Sequence, residues 1–173
     1  PKSFGDCLLS SEPHGDSFSH QFHSPPMLNP FEKGIVIAGP WRGLNNQLPG
    51  FKKALRSFQE ITGWPIFADP LSGLSNDQPG LVEFWELLIA SEAIAENHDL
   101  QILRLGPTPS SRELFKFLKN HPKDNILITE GEQRCLDPLH QARQYSKGFQ
   151  SWMKIFTEQK LIENSFKRKE ILE

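Results

Sequence analysis

The sequence predicts an α/β fold: a three-layer, Rossmann-like domain with a central parallel sheet and helices on both faces. Four short apolar runs recur along the chain, and segments with apolar residues at helical spacing separate them. Runs that are apolar almost throughout are typical of strands covered on both faces, as parallel strands are. The predicted strands are residues 34–39, 65–69, 100–105 and 125–129.

Length and composition limit the classes of function. The chain has 173 residues, enough for one domain with a sizeable core. Its net charge of -2 gives no reason to expect nucleic acid as a partner. The chain has no apolar run of about 18 residues that would span a membrane, shows no secretory signal, and carries too few cysteines for a disulfide framework. We therefore expect a cytoplasmic protein.

The chain divides into three predicted regions. Residues 1–32 are rich in Ser, His, Pro and Phe without periodicity, which favours an extended N-terminal linker. We expect this linker to pack on the domain through Phe18, Phe22 and Phe31. Residues 33–145 form the predicted Rossmann-like domain. Residues 146–173 are predicted to complete that domain with an amphipathic helix and to lead to a further domain.

The first half of the predicted domain contains two strands and two helices. The first strand opens into a loop in which Asn45 or Asn46 can cap the next helix. That helix has one apolar side, and Pro49 is tolerated in its first turn. The second strand enters at Pro65, where a missing N–H group removes no ladder bond, and residues 66–68 are its apolar run. Residues 81–95 are predicted to be helical, with an inner side formed by Leu81, Phe84, Leu88 and Trp85.

The second half continues the alternation. The third strand ends at Gly106, and Ser110 is predicted to cap the next helix, with Glu113 completing a capping box. A fourth strand follows, and a long amphipathic helix is predicted from Tyr145 to about Phe166. Alternating strands and helices of this kind favour parallel strands joined by crossovers.

The candidate ligand-binding loops are those after the strands, because ligands of open α/β sheets bind at the carboxyl ends of the strands. The loop of residues 106–112 is chemically the most suggestive. It leads into a helix N-terminus, where backbone N–H groups favour anions, and Arg112 adds a cation that can bind a carboxylate with two hydrogen bonds. The alternative is a solvated arginine on a first helical turn.

Other candidate sites are weaker. The loop after the first strand lacks the G-x-G-x-x-G pattern of a dinucleotide site. His14, His20 and His23 lie in an aperiodic segment without the held geometry of a metal site. For nucleophilic catalysis, Cys135 has no recognisable partner motif, and Ser72 and Ser75 lack a nucleophile elbow. Arg134 and Asp137 could pair across a turn, and Arg42, Arg104 and Arg134 are cations near strand ends that could serve a regulatory site or form salt bridges.

Four segments together resemble one enzyme family. They resemble the middle domain of the MenD family, the 2-succinyl-5-enolpyruvyl-6-hydroxy-3-cyclohexene-1-carboxylate synthases, in wording, in order and in approximate spacing. The segments are KGIVIAGP, GWPIFADPLSG, LRLGPTPSSREL and LDPLHQAR. The resemblance covers residues from about 33 to 150. The family often has two adjacent basic residues near this helix start; Arg112 matches the first, and Glu113 stands in place of the second.

The resemblance implies a thiamine-diphosphate-dependent transferase that decarboxylates 2-oxoglutarate and joins the product to isochorismate, in menaquinone or phylloquinone synthesis. It implies that thiamine diphosphate and Mg²⁺ bind between a pyrimidine-binding and a diphosphate-binding domain of the same polypeptide, in a homodimer or a dimer of dimers. This chain shows no G-D-G…N pattern, so we expect it to bind no cofactor or metal, to hold no catalytic residue and to be inactive alone. Arg112 is the substrate-binding residue that the resemblance implies.

A stand-alone module is the other interpretation. An α/β domain of this kind could bind a nucleotide or a small carboxylate by itself, since fold alone does not determine function. The domains that flank this segment in its gene would separate the two interpretations.

Overall fold

The computed structural model describes residues 25–91, 94, 96–97, 99–121 and 124–170, with side chains up to residue 160. Strands and helices alternate in this part of the chain for most of its length. The strands are β1 Gly34–Ala38, β2 Ile66–Ala68, β3 Gln101–Leu105, β4 Asn125–Ile128 and β5 Arg143–Tyr145. The helices are α1 Leu48–Thr62, α2 Trp85–Ile89, α3 Arg112–Asn120 and α4 Phe149–Glu170.

All five strands form one parallel sheet in the order β2-β1-β3-β4-β5. The register places Val36 of β1 between Ile66 of β2 and Leu103 of β3. Every residue of β1, β3 and β4 is buried, as expected for central strands covered on both faces. The four predicted strands and their parallel arrangement are therefore confirmed.

Helices cover both faces of the sheet and give three layers. On one face, α1 and α4 bury an aromatic core that includes Phe58 and Trp152. On the other face, α2 and α3 pack through a second cluster that includes Trp85 and Leu114. The predicted layer arrangement is confirmed. No helix in the described part of the chain is both long and apolar enough to cross a membrane.

The structure corrects the predicted start of the last helix. Tyr145 lies in β5, a strand that the sequence did not predict, and α4 begins at Phe149. β5 is a short edge strand with one exposed and two half-buried residues, so it has no apolar run. Because no apolar run marked a strand there, the helix predicted from the spacing of Phe149, Trp152 and Phe156 was started too early, at Tyr145.

The structure also corrects two helix starts. The segment from residue 81 becomes α-helical only at Trp85, whose side chain and that of Ile89 are buried. Phe84, predicted to point inward, is largely exposed. Asn45 and Asn46 lie in a 3-10 turn, and α1 begins at Leu48 without a side-chain cap, with Pro49 in its first turn as predicted.

Two tryptophans hold the segment that precedes β1. The indole Nε1 of Trp64 donates to the carbonyl oxygen of Glu32 at 2.9 Å, and that of Trp152 donates to the carbonyl oxygen of Pro26 at 2.7 Å.

Phe31, predicted to pack on the domain, is mostly exposed, with the Lys160 ammonium 5.4 Å from its ring centre. Phe18 and Phe22 lie outside the described residues. The two indole hydrogen bonds hold residues 25–32, together with the buried side chain of Leu28.

Candidate functional site

A cleft of about 550 Å³ opens at the carboxyl ends of β1, β3 and β4. The chain leaves β1 for β2 on one side and returns to β3 on the other, so the sheet order reverses between β1 and β3. Open α/β sheets bind ligands at such a switch point. The cleft is lined by residues of the loops after these three strands. The sequence analysis had selected the loops after all four predicted strands as candidates.

Close backbone contact forms the floor of the cleft. The N–H group of Gly39 donates to the carbonyl oxygen of Leu105 at 2.8 Å. A Cβ atom at Gly39 would lie 1.6 Å from the carbonyl oxygen of Pro107, so only glycine fits. Gly106, with a φ of 77°, makes the turn after β3 in the left-handed region. These two glycines bring the loops after β1 and β3 together.

The walls of the cleft carry two arginines in different states. Arg134 donates from Nε and Nη2 to the two carboxylate oxygens of Glu132, at 3.0 and 2.6 Å. These hydrogen bonds lower the pKa of Glu132 to about 2. Arg42 is exposed and makes no ion pair within the described part of the chain. Arg42 is therefore the cation of this cleft that is free to meet an anion.

An aromatic wall completes the cleft. Trp41 lies 4.8 Å from Phe51 between ring centres, and both residues line the cleft. The indole Nε1 of Trp41 is buried and has no hydrogen-bond partner among the described residues. Buried donors are ordinarily satisfied, so this N–H group can serve a bound molecule or water. Together these groups suit a small anion with a flat or apolar body.

A buried ion pair joins β3 to the loop after β4, and Arg104 is one of the cations for which the sequence analysis left a salt bridge open. Arg104 on β3 donates from Nη1 to Oδ1 of Asp137 at 2.8 Å, and both side chains are 2% exposed. Its Nη2 donates to the hydroxyl of Thr108 in the next loop. Arg134, the predicted partner of Asp137, pairs with Glu132 instead. One guanidinium thus links the loops after β3 and β4.

Asp137 organises its own loop from this buried position. Its Oδ2 accepts hydrogen bonds from the backbone N–H groups of Gln141 and Ala142, at 2.7 and 2.8 Å. Burial alone would raise the pKa of Asp137, but the hydrogen bond from Arg104 and those from the backbone outweigh it and hold the pKa below its ordinary value. The carboxylate is therefore charged at neutral pH.

Arg112 lies where the sequence placed it, at the first position of α3 and exposed to solvent. Ser111, not the predicted Ser110, caps this helix by accepting from the N–H group of Leu114 at 3.3 Å. Glu113 binds Lys116 at 2.8 Å instead of closing a capping box. Arg112 borders a shallow groove next to Phe115, and it has no ion pair in the described part of the chain.

The remaining candidates are brought together only in part. Sγ of Cys135, which is exposed, lies 3.7 Å from Nδ1 of His140, a neighbour that the sequence analysis missed. Ser72 is buried and accepts from the N–H group of Leu74, and Ser75 donates to Asp77. The three histidines at positions 14, 20 and 23 lie outside the described residues. The described side chains include no group of three or more His, Cys, Asp or Glu residues that could hold a metal ion.

Comparison with known proteins points to one family. No protein-family model matches the chain. A 2-succinyl-5-enolpyruvyl-6-hydroxy-3-cyclohexene-1-carboxylate synthase from Prochlorococcus marinus strain SARG is 57% identical over 131 residues, which are 76% of this chain and 23% of the relative. Over the matched segment, the chain belongs to this synthase family, MenD. The strain MIT 9303 synthase is 50% identical over 129 residues, 75% of this chain and 22% of the relative.

A synthase of this family from Synechococcus sp. strain CC9605 is 45% identical over 126 residues, which are 73% of this chain and 22% of the relative. The chain thus spans between a fifth and a quarter of the length of the MenD relatives it matches. The predicted resemblance to MenD is confirmed over this segment.

Proposed function

We propose that this chain is the middle, non-catalytic domain of a MenD synthase that decarboxylates 2-oxoglutarate and joins the product to isochorismate, in menaquinone or phylloquinone synthesis. The 57% identity to the Prochlorococcus synthase over 131 residues is the observation that carries the proposal. Because the match covers only 23% of that relative, the rest of the activity would reside in other domains of the polypeptide. Those would be a pyrimidine-binding and a diphosphate-binding domain, in a homodimer or a dimer of dimers in the cytoplasm.

The described side chains of this segment do not fit the cofactor that such a synthase would use. Thiamine diphosphate is held through Mg²⁺, which binds carboxylate and carbonyl oxygens. The described side chains offer no cluster of metal-ligating residues, and the chain has no G-D-G…N pattern. We therefore propose that thiamine diphosphate and Mg²⁺ bind on the other domains and that this segment alone is inactive.

The contribution of this segment would be to position a substrate. Isochorismate and 2-oxoglutarate are both anions, and a guanidinium binds a carboxylate with two hydrogen bonds. Arg112 is exposed, unpaired within the described residues, and at the first turn of a nine-residue helix. These properties support a role for Arg112 in binding a substrate carboxylate at a boundary between domains.

The cleft favours a second candidate function. Its position at the switch point, the unpaired Arg42 and the free indole donor of Trp41 suit a small carboxylate or a nucleotide. A stand-alone binding module would use this cleft without any other domain. Saturable binding of such a ligand by the chain would support it, provided that the graft described next is inactive.

A graft tests the synthase proposal directly. The matched segment of the Prochlorococcus strain SARG synthase is replaced by that of this chain, and turnover of isochorismate and 2-oxoglutarate is measured with thiamine diphosphate and Mg²⁺. We expect turnover within about tenfold of the parent, because the segment supplies scaffold and one substrate contact. The matched control is the same graft taken from the MIT 9303 synthase, which is 50% identical to this chain. An active control beside an inactive, folded graft of this chain would overturn the proposal.

A further inference from the structure

The outer side of α2 is apolar, although a helix side that faces water is ordinarily polar. Leu87 and Leu88 are residues of α2, and Phe84 immediately precedes the helix. The exposed fractions of Phe84, Leu87 and Leu88 are 78%, 73% and 42%. We refer to these three side chains as the α2 outer face.

The opposite side of α2 holds the helix firmly on the sheet. Trp85 and Ile89 are buried, and the indole Nε1 of Trp85 donates to the carbonyl oxygen of Ala68 at 2.9 Å. The Trp85 ring stacks on Phe67 with 5.9 Å between ring centres. Because these contacts fix the rotation of α2, the α2 outer face cannot turn toward the core. A helix that is apolar on both sides is typical of a helix covered on both sides.

The backbone at Phe84 has an unfavourable conformation, in addition to the exposure of its side chain. Its φ of 51° lies in the left-handed region, which a bulky side chain rarely occupies. The strained conformation leaves the ring in solvent instead of in the core. Backbone strain of this kind clusters at functional sites, which favours a contact at this face.

The occupant of this face follows from charge and from length. Glu83 and Glu86 flank the α2 outer face, are exposed and make no ion pair among the described residues. The relatives carry more than three quarters of their length beyond the matched segment. We infer that the α2 outer face is the docking surface for another part of the same synthase polypeptide, whose contact surface has an apolar centre and Lys or Arg at its rim. This inference rests on the proposed function, because the occupant belongs to the longer synthase.

Cysteine labelling in the grafted synthase tests the docking. Leu87→Cys is introduced into the graft, and the rate of maleimide labelling of its peptide is measured by mass spectrometry in native buffer and in urea. We expect native labelling at least about tenfold slower than labelling in urea. Two matched controls calibrate the result: Lys119→Cys, at an exposed position of α3, and Ile89→Cys, at a buried position of α2. The first should react at nearly equal rates in both conditions, and the second only in urea.

The outcomes separate this inference from the proposed function. Turnover by the graft with unprotected Leu87→Cys would overturn the docking surface and leave the synthase assignment standing. Protection in an inactive graft would support the docking surface and count against the synthase assignment. Protection that disappears when the protein is diluted to its monomer would indicate a second copy of the chain as occupant and overturn the inference. Slow labelling of Ile89→Cys shows that the segment is folded in each case.

Discussion

Arg104 and Arg112 carry the same charge eight positions apart, and the structure uses them in opposite ways. Arg104 is buried on β3, and its guanidinium is committed to Asp137 and Thr108. Arg112 is exposed at the start of α3 and has no ion pair among the described residues. The difference shows that a cation near a strand end is not by itself a binding group. Burial and partners determine whether it holds loops in place or remains available to a ligand.

The largest expected effect comes from breaking the buried pair. Asp137→Ala leaves Arg104 charged and unpaired in the interior, which should lower the free energy of unfolding by about 3–5 kcal/mol. Urea denaturation followed by tryptophan fluorescence measures this loss. The double variant Arg104→Met/Asp137→Ala removes the stranded charge and should be more stable than Asp137→Ala alone. Equal stability of the single and double variants would show that the pair is not coupled.

Removal of the exposed arginine should affect binding and spare stability. Arg112→Ala in the grafted synthase should weaken apparent substrate affinity about 10- to 150-fold, since a charge-assisted contact contributes roughly 1.5–3 kcal/mol. Arg112→Lys should restore part of the loss because it keeps the charge without the planar fork. Steady-state kinetics and thermal unfolding measure the two properties. Arg143→Ala, at an exposed position of β5, is the matched control; an equal effect there would remove the special role of Arg112.

Acid should weaken the buried pair of Arg104 and Asp137. The pKa of Asp137 is lowered in the folded state, so its contribution to stability is fully present above the unfolded-state pKa, about 3.9, and is lost as pH falls through the folded-state pKa. The difference in unfolding free energy between the wild type and Asp137→Asn should therefore shrink below about pH 4. Denaturation series at pH 7, 5 and 3 measure it. A constant difference across this range would contradict the assignment.

The smallest expected effect concerns the third arginine. Arg134 makes two short hydrogen bonds to Glu132, yet its side chain is 83% exposed. Exposed ion pairs contribute little, because water and salt screen them and ordering both side chains costs entropy. Arg134→Ala should leave the midpoint of urea denaturation unchanged within error. A clear shift would place this pair with Arg104 and Asp137 as a structural element.

The central strands β1, β3 and β4 were predictable because their apolar runs depend on local composition alone. β5 was missed because Arg143, Gln144 and Tyr145 form an edge strand that needs no apolar run. The extent of α2 was misjudged because apolar residues lie on both of its sides, so periodicity cannot tell the inner side from the outer one.

The candidate site was predictable in position but not in pairing. The strand-end loops and the place of Arg112 follow from the order of elements. The partner of Asp137 did not, because Arg104 lies 33 positions away and nearer charges competed. A useful signal was present: Arg104 is the lone charge in the predicted strand 100–105, and a buried charge must find a partner. Cys135 and His140 meet only through the fold of their loop.

The two indole hydrogen bonds tie residues 26–32 to the core at both ends. Trp152 donates a hydrogen bond to the backbone at Pro26, and Trp64 donates one at Glu32. Both rings are buried in the same hydrophobic core. The backbone between these two points therefore cannot swivel independently of the sheet. A displacement of the chain at residue 25 would move α4, which contains Trp152, together with the segment that contains Trp64 and leads into β2. Residues 26–32 are therefore not a hinge between the sheet and the chain that precedes them.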